Sequence, residues 1–437
     1  MLSSIGRWAS KALSGRQPWA LKTFANPHFQ RIGANQLLEE ENMPEFSTVG
    51  YYPMRIGDLL ASRYQVVGKL GFGATSTVWL ARDLPGRRHV AVKIYLRSSS
   101  LGESAFQELH AYQRLEKGPV SHPGRGAVRT LLDSFTVAGP EGEHQCLVHP
   151  PLWDSVSTFL ARNPVGRLPI PVLAIVLRQV FLALDYCREC QVIHTGEFAR
   201  FLFFFVRARD LTNRITFIDI SPSNIMFGID DPSVLEKFEQ DELEHPTPRK
   251  ETEGRIIYQS RELQAPSRFS PPVLCDFGSS VWGEEEHKED VQPDVYRSPE
   301  VILKVPWSYE IDVWNIGCAI FNMFEARHLF YGTDPEHRVY RSRAHLAEMI
   351  ALLGPPPPDL VARGVLSSKF FSENGEFQAG IPIPPSISLT DIETSLEGLD
   401  KRMFVELLTK MLQWDPKNRQ TPKQLLQDKW LIEHTRS

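Results

Sequence analysis

The 437-residue sequence lacks any run of about 20 apolar residues, the length a helix needs to cross a bilayer. Its most apolar stretch, Phe198 to Val206, is nine residues long and contains Arg200, so no membrane partner is expected. Cysteine is scarce. Cys146, Cys187, Cys190, Cys275 and Cys318 are scattered and odd in number, which excludes a disulfide framework and points to a reducing compartment. Cys187 and Cys190 form a C-x-x-C, but without a second pair they read as two thiols on one helix. An excess of positive charge is also missing: 48 Lys and Arg against 53 Asp and Glu give a net charge of -5. That argues against direct nucleic-acid binding through a basic surface, while leaving local phosphate binding open. No internal repeat is present.

The first 38 residues carry Arg7, Lys11, Arg16, Lys22 and Arg31 and no acid before Glu39. This bias fits either a mitochondrial presequence or a disordered basic tail over residues 1–47, with Glu39-Glu40-Glu41 and Pro44 marking a linker. From Tyr64 to Tyr95 the pattern is strand-like: Tyr64 to Val67 and Thr77 to Leu80 flank a Gly-containing turn, and Val90 to Ile94 is a short β-rich run. Phe106, Leu109, Tyr112 and Leu115 lie on one helical stripe. Beyond about residue 150 helical spacing dominates, over Val172 to Cys187, Ile311 to Phe324, His345 to Leu353 and Arg402 to Leu412. Residues 230–272, polar and broken by Pro246, Pro248, Pro266, Pro271 and Pro272, read as an insert or long loop. The expectation is an α+β, bilobal architecture with a cleft between a small β-rich lobe, 48–150, and a large helical lobe, 151–437.

Four groups of residues carry chemistry. Gly71-Phe72-Gly73-Ala74-Thr75-Ser76-Thr77-Val78 lies between two strands, where small residues let backbone amides close over phosphates and Val78 can cover a flat base. Taken alone it is equally a Gly-containing hairpin turn, since Ser76 stands where a third glycine would complete the pattern. Lys93, late in a half-buried strand, needs anionic partners; phosphate and a helix carboxylate would supply them, with Glu108 the natural candidate and Glu103 the weaker one. Asp276-Phe277-Gly278 follows the apolar Val273-Leu274-Cys275 and can offer a carboxylate to Mg²⁺. Asp219-Ile220-Ser221-Pro222-Ser223-Asn224 can place a base at a hydroxyl and an amide oxygen on the same metal. Further on, Glu300 and Arg419 would be costly to bury singly, but as a pair they can close the large lobe.

In this order, with Tyr296-Arg297-Ser298-Pro299-Glu300 and Asp312-Val313-Trp314-Asn315-Ile316-Gly317, the residues resemble the eukaryotic protein kinase family over about residues 60 to 433. Val291-Gln292, His345 to Ile350, Leu353-Gly354-Pro355 and the His194-Thr195 pair look like the CMGC group and, within it, fungal SR-protein-kinase-like serine/threonine kinases. The resemblance implies transfer of the ATP γ-phosphate to a protein Ser or Thr hydroxyl, with ATP and Mg²⁺ as cofactors. It implies that Leu70, Gly71, Gly73, Val78 and Ala91 surround the nucleotide, that Lys93 meets its phosphates and pairs with Glu108, and that Asn224 and Asp276 hold Mg²⁺. Asp219 becomes the catalytic base and His194 part of the catalytic motif. A monomer acting on a protein substrate, with Arg- and Ser-rich proteins as the candidate class, in the cytoplasm or nucleus is the family expectation; the basic N-terminus keeps mitochondria open. The acidic run Glu284-Glu285-Glu286 with Glu289-Asp290 could attract such a substrate or be a solvated loop.

The pattern breaks in the catalytic loop. Family members run from His through one residue to the catalytic Asp, whereas here Gly196 to Ile218, 23 residues, separate Thr195 from Asp219. Deleting them restores the family pattern without a gap. Thr195 to Phe198 can be encoded across a splice-donor pattern (GGTGAGTT), Leu211-Thr212 across a branch-point pattern, and Ile218-Asp219 across an acceptor AG, all in frame. We read the insert as a retained intron, a hypothesis that transcripts uniformly keeping the segment would refute. A genuine insertion of Phe201-Leu202-Phe203-Phe204-Phe205-Val206 would seek burial where substrate enters. Ser221 also replaces the usual loop lysine. These departures support the alternative of a catalytically impaired pseudokinase or scaffold that still binds nucleotide. Thr195 replaces the arginine that ordinarily reads an activating phosphate, so activity independent of activation-loop phosphorylation is expected.

Overall fold

The computed structural model describes residues 17–43, 46–97, 102–195, 222–252 and 255–436. Arg7, Lys11 and Arg16, the insert Gly196 to Ile218, Asp219 and Ser221 lie outside the described residues, as does the side chain of Glu103.

The small lobe is an antiparallel sheet in the order β1-β2-β3-β4-β6-β5. Its strands are β1 (Leu59–Leu60), β2 (Tyr64–Phe72), β3 (Ser76–Asp83), β4 (Arg88–Tyr95), β5 (Asp133–Gly139) and β6 (Gly142–His149). Period-two alternation assigns the faces. Val90, Val92 and Ile94 of β4 join Trp79, Val66 and Val148 in a core on one side of the sheet, which sends Ala91 and Lys93 to the other. Helix α1 (Gly102–Lys117) packs against that second side. It buries Ala105, Glu108, Ala111, Tyr112 and Leu115, whereas Phe106, expected on the buried stripe, is 60% exposed. The stripe is rotated because the carboxylate of Glu108, not an apolar group, faces Lys93.

The chain leaves the small lobe after His149 and enters the large one through β7 (Leu152–Ser155) and α2 (Val156–Arg162), whose first turn is capped by Ser155 Oγ accepting from Thr158 N at 3.1 Å. Helix α3 (Ile170–Glu189) is long and apolar enough to span a bilayer, but it buries Leu173, Leu177, Val180, Phe181, Leu184 and Cys187 in the core of the large lobe. After β8 (Val192–Ile193) come β9 (Ile225–Ile229), α4 (Ser233–Glu244), β10 (Arg249–Thr252), β11 (Arg255–Tyr258), β12 (Phe269–Leu274) and β13 (Val281–Trp282). Strands β12, β9 and β7 form a small sheet, and β13 pairs with β8. Helices α5 (Pro299–Leu303) and α6 (Glu310–Glu325) follow. The helices expected over 345–353 and 402–412 are present as Ser342–Leu353 and Gly398–Met411.

Two segments expected as loop or tail are folded. Residues 230–272 contain α4 and the β10–β11 hairpin rather than one long loop. Val234, Leu235 and Phe238 recur at helical spacing, and Leu235 and Phe238 pack on Val67 and Leu80 of the small lobe. The prolines fall outside these elements except where β12 bulges between Ser270 and Val273. Within the expected tail, residues from Gln17 onward also pack on the small lobe. The Arg82 guanidinium sits 4.9 Å from the Trp19 ring, and Gln65 exchanges two hydrogen bonds with the Lys22 backbone at 2.7 and 3.0 Å. Glu39 to Asn42 form a 3₁₀ turn rather than a linker, because each of its three carboxylates finds a cation or amide.

Candidate active site

The glycine-containing turn is the hairpin joining β2 to β3, with Gly71 opposite Val78 and Phe72 opposite Thr77. A Cβ added at Gly71 or Gly73 would meet no protein atom within 4 Å. Nothing in the protein's own packing therefore requires glycine there; the glycines keep open the space beneath the turn. That space is a cleft of ≈ 580 Å³ roofed by Leu70, Gly71, Phe72, Val78 and Ala91. Leu152, Trp153, Asp154 and Ser155 line it where the lobes join, Met226 lies below, and Gln259 to Leu263 close one side. Leu70, Gly71, Val78 and Ala91 thus fall together as the sequence suggested, with Gly73 at the tip of the turn. The joining residues and the 259–263 strap carry no motif; only the position of Leu152 to Ser155 between a strand and a capped helix could have signalled them.

Lys93, Glu108 and Asp276 meet at the inner end of the sheet. Lys93 Nζ donates to Glu108 Oε2 at 2.7 Å and lies 3.4 Å from Asp276 Oδ1, and the Tyr95 hydroxyl also donates to Glu108. Burial alone would pull the Lys93 ammonium down, but the Asp276 and Glu108 carboxylates hold it above the ordinary lysine value. Burial raises the Asp276 carboxyl, yet Lys93 and then His194 outweigh it, leaving the group below its usual value and ionised at neutral pH. The arrangement is an ammonium with a buried, anchoring carboxylate on one side and a second, part-exposed carboxylate on the other.

Asp276 holds a left-handed backbone (φ 61°), a conformation that costs a non-glycine residue roughly 1 kcal/mol or more. The fully buried Phe277 fixes it, packing edge-on against Tyr112 of α1 at 5.4 Å and against His194 at 5.1 Å. Thr195 is also left-handed (φ 65°), and here the brace is Asp312 of α6. The Asp312 carboxylate accepts the backbone N–H groups of His194 and Thr195, both at 2.9 Å. The Thr195 hydroxyl donates to the Ser279 carbonyl at 3.1 Å, and His194 Nε2 lies 3.0 Å from the Cys275 carbonyl. The loop before the insert is therefore tied to the segment after Asp276.

Asn224 is brought beside Asp276 by the β9–β12 register, in which Ile225 faces Leu274 and Cys275 N donates to the Asn224 carbonyl at 2.7 Å. The Asn224 side chain is buried; its Oδ1 lies 3.4 Å from Ser223 Oγ, and its Nδ2 has no hydrogen-bond partner among the described residues. The Asn224 amide oxygen and the ionised Asp276 carboxylate are oxygen donors of the kind that suits a hard divalent cation such as Mg²⁺. Asp219, expected to complete the site, lies outside the described residues. Glu300 and Arg419 form the expected pair, two bonds of 2.6 and 2.7 Å between side chains with no exposure. The acidic run is not a free anionic patch: Glu284 pairs with Arg114 at 2.8 Å, Glu286 with Lys288 at 2.5 Å and Asp290 with Lys304 at 2.6 Å. Three of its five carboxylates are paired locally with Lys or Arg, and the first of these pairs ties α1 to the segment that follows Asp276.

Comparison with known proteins agrees with this geometry. The family model for the protein kinase domain matches residues 264–431. A serine/threonine protein kinase of Aspergillus fumigatus is 39% identical over 416 residues, covering 94% of this chain and 95% of the relative. A kinase of Physarum polycephalum named serine/threonine-protein kinase SRPK is 28% identical over 417 residues, covering 90% of this chain and 92% of its own. The crystal structure of a kinase domain superposes with a TM-score of 0.63 at 21% identity, over 88% of this chain and 99% of the other, which establishes the shared fold. The chain belongs to the protein kinase family, among the SR-protein-kinase-like serine/threonine kinases of the CMGC group.

Proposed function

We propose that the cleft under the Gly71–Gly73 turn holds ATP with Mg²⁺, and that the protein phosphorylates serine or threonine in Arg- and Ser-rich protein segments. The observation that carries the nucleotide part is the placement of Lys93 between Glu108 and Asp276, opposite Val78 of the cleft's roof. Glu108 fixes the ammonium where it can meet phosphate oxygens, and Asn224 and Asp276 would hold the metal. When bound, Mg²⁺ neutralises charge on the phosphates. Asp219 would accept the proton of the attacking hydroxyl, the role the family resemblance gives it. Because one chain supplies the roof, the joining residues and the floor, a monomer suffices. The substrate class rests on the SR-protein-kinase-like relatives; the paired charges of the Glu284 to Asp290 run do not add to it.

Nothing after Asp276 needs a phosphate to stay in place, since Asp312, Thr195 and the Arg114–Glu284 pair already hold the segment. Activity should therefore survive phosphatase treatment. The test is transfer of labelled γ-phosphate to an Arg/Ser-rich peptide by the 437-residue chain and by a version lacking 196–218. The shortened chain is expected to transfer and the full chain to be weak or inactive. A shortened chain that binds Mg-ATP without transferring would overturn the enzymatic reading, and full activity of the longer chain would overturn the role assigned to the insert.

A further inference from the structure

Two residues before Gly71, on the strand that feeds the glycine turn, Lys69 is fully buried with 0% exposure. An ammonium has three N–H donors, and each finds an acceptor. They are Glu39 Oε2 at 2.9 Å, Glu40 Oε2, and the Tyr258 carbonyl at 3.1 Å. Lys69 faces Trp79 across the hairpin, and the Trp79 ring packs edge-on against Tyr258, so this knot lies under the β10–β11 hairpin. The parts come from three distant stretches of sequence. Glu39 also accepts from Ser260 N and Oγ, both at 2.6 Å, and Arg261 N donates to the Lys69 carbonyl at 2.9 Å. The strap that closes one side of the cleft is thus fastened to the same residue. Glu39 itself has φ 47°, a left-handed backbone that lets two consecutive carboxylates reach one ammonium. At Gly68 an added Cβ would come within 2.8 Å of the Phe238 ring, so α4 presses on the strand at the preceding residue.

We propose that Lys69, gripped by Glu39 and Glu40, is a positioning centre for the nucleotide site: the acidic turn holds the β2 strand, and through it the Gly71–Gly73 turn, at the height from which backbone amides meet phosphates. This rests on the reading of the cleft as an ATP site. A hairpin anchored at one end only would spend part of its binding energy on ordering itself, so releasing the knot weakens nucleotide binding by loosening the turn; of the three knot side chains only Glu39 lines the cleft. A buried charge cluster is not needed for stability as such, because apolar replacements of similar volume are often tolerated. What the knot adds is a fixed location.

The test compares wild type with E39Q/E40Q, with K69M/E39L/E40L as an apolar replacement, and with K410A as a control in the large lobe, where Lys410 pairs with Asp428. Two quantities are read: hydrogen exchange of the amides of residues 68–78 without nucleotide, and Mg-ATP affinity by calorimetry. Both knot variants should exchange faster over 68–78 and bind Mg-ATP about tenfold more weakly. In the shortened chain they should raise KM for ATP while kcat and KM for peptide stay near wild type; K410A should do none of this. Unchanged exchange over 68–78, or faster exchange with unchanged affinity, would overturn the proposal. If wild type binds no Mg-ATP the functional reading falls, and the exchange result alone then decides whether the knot positions the hairpin.

Discussion

At the scale of single residues, the site works because charges are buried only in company. Arg419 and Glu300 have no exposed side-chain surface, and Arg419 also lies 4.9 Å from the Trp314 ring and donates to the Glu310 and Gln413 carbonyls. Removing one partner strands the other, so E300Q should destabilise the fold by about 3 to 5 kcal/mol in urea unfolding. Loss of less than 1 kcal/mol would mean that the pair is not desolvated as described. This pairing was legible in the sequence, as was that of Lys93 with Glu108, because a buried ionisable residue demands a partner of opposite sign. The role of Asp312 was not, although its motif was visible: what it binds is backbone, and backbone acceptors and donors carry no residue signature.

At the scale of elements, periodicity was readable wherever one face was strongly apolar. Helices α3 and α6 and strands β2 to β4 lie where the spacing put them. The failures fell on segments whose apolar residues are few and whose charges are spent on internal pairs. In α4 only Val234, Leu235 and Phe238 announce the buried face, while Glu239 and Glu242, which look solvated, are buried against His89 and Arg261. Phe238 is 3% exposed and forms the main contact of α4 with β2 and β3. F238A should therefore cost about 3 to 5 kcal/mol and raise hydrogen exchange across α4 and the β10–β11 hairpin. Stability and exchange like those of wild type would show that the insert does not depend on this contact. The same reasoning explains the N-terminal segment: three consecutive glutamates read as a linker until their partners Lys69, Lys250 and Ser260, 29 to 221 residues away, are brought to them.

At the scale of the molecule, the small lobe is completed by chain that comes before and long after it, so the cleft is bounded by a strap that the usual order of two lobes does not contain. A second whole-molecule property is the store of neutral histidines. His345 is fully buried beside Arg297; burial first, then that charge, pushes its pKa down to about 3. Its unfolded value lies near 6.5, so the unfolded chain takes up a proton that the folded chain refuses. The contribution of His345 is fully present above about pH 6.5 and falls by about 1.4 kcal/mol per pH unit below it. H345N should remove that slope: between pH 6.5 and 5 wild type should lose about 2 kcal/mol relative to the variant. Parallel pH curves for the two would show that His345 protonates in the folded protein.

The central claim, that Lys93 held by Glu108 and Asp276 makes this cleft a phosphotransfer site, is tested most directly by the rate of γ-phosphate transfer from ATP to a serine-containing peptide. The assay uses the chain lacking 196–218 and the same chain carrying K93M. Measurable transfer is expected, lowered by about 100-fold or more in K93M. Transfer that K93M leaves unchanged would contradict it.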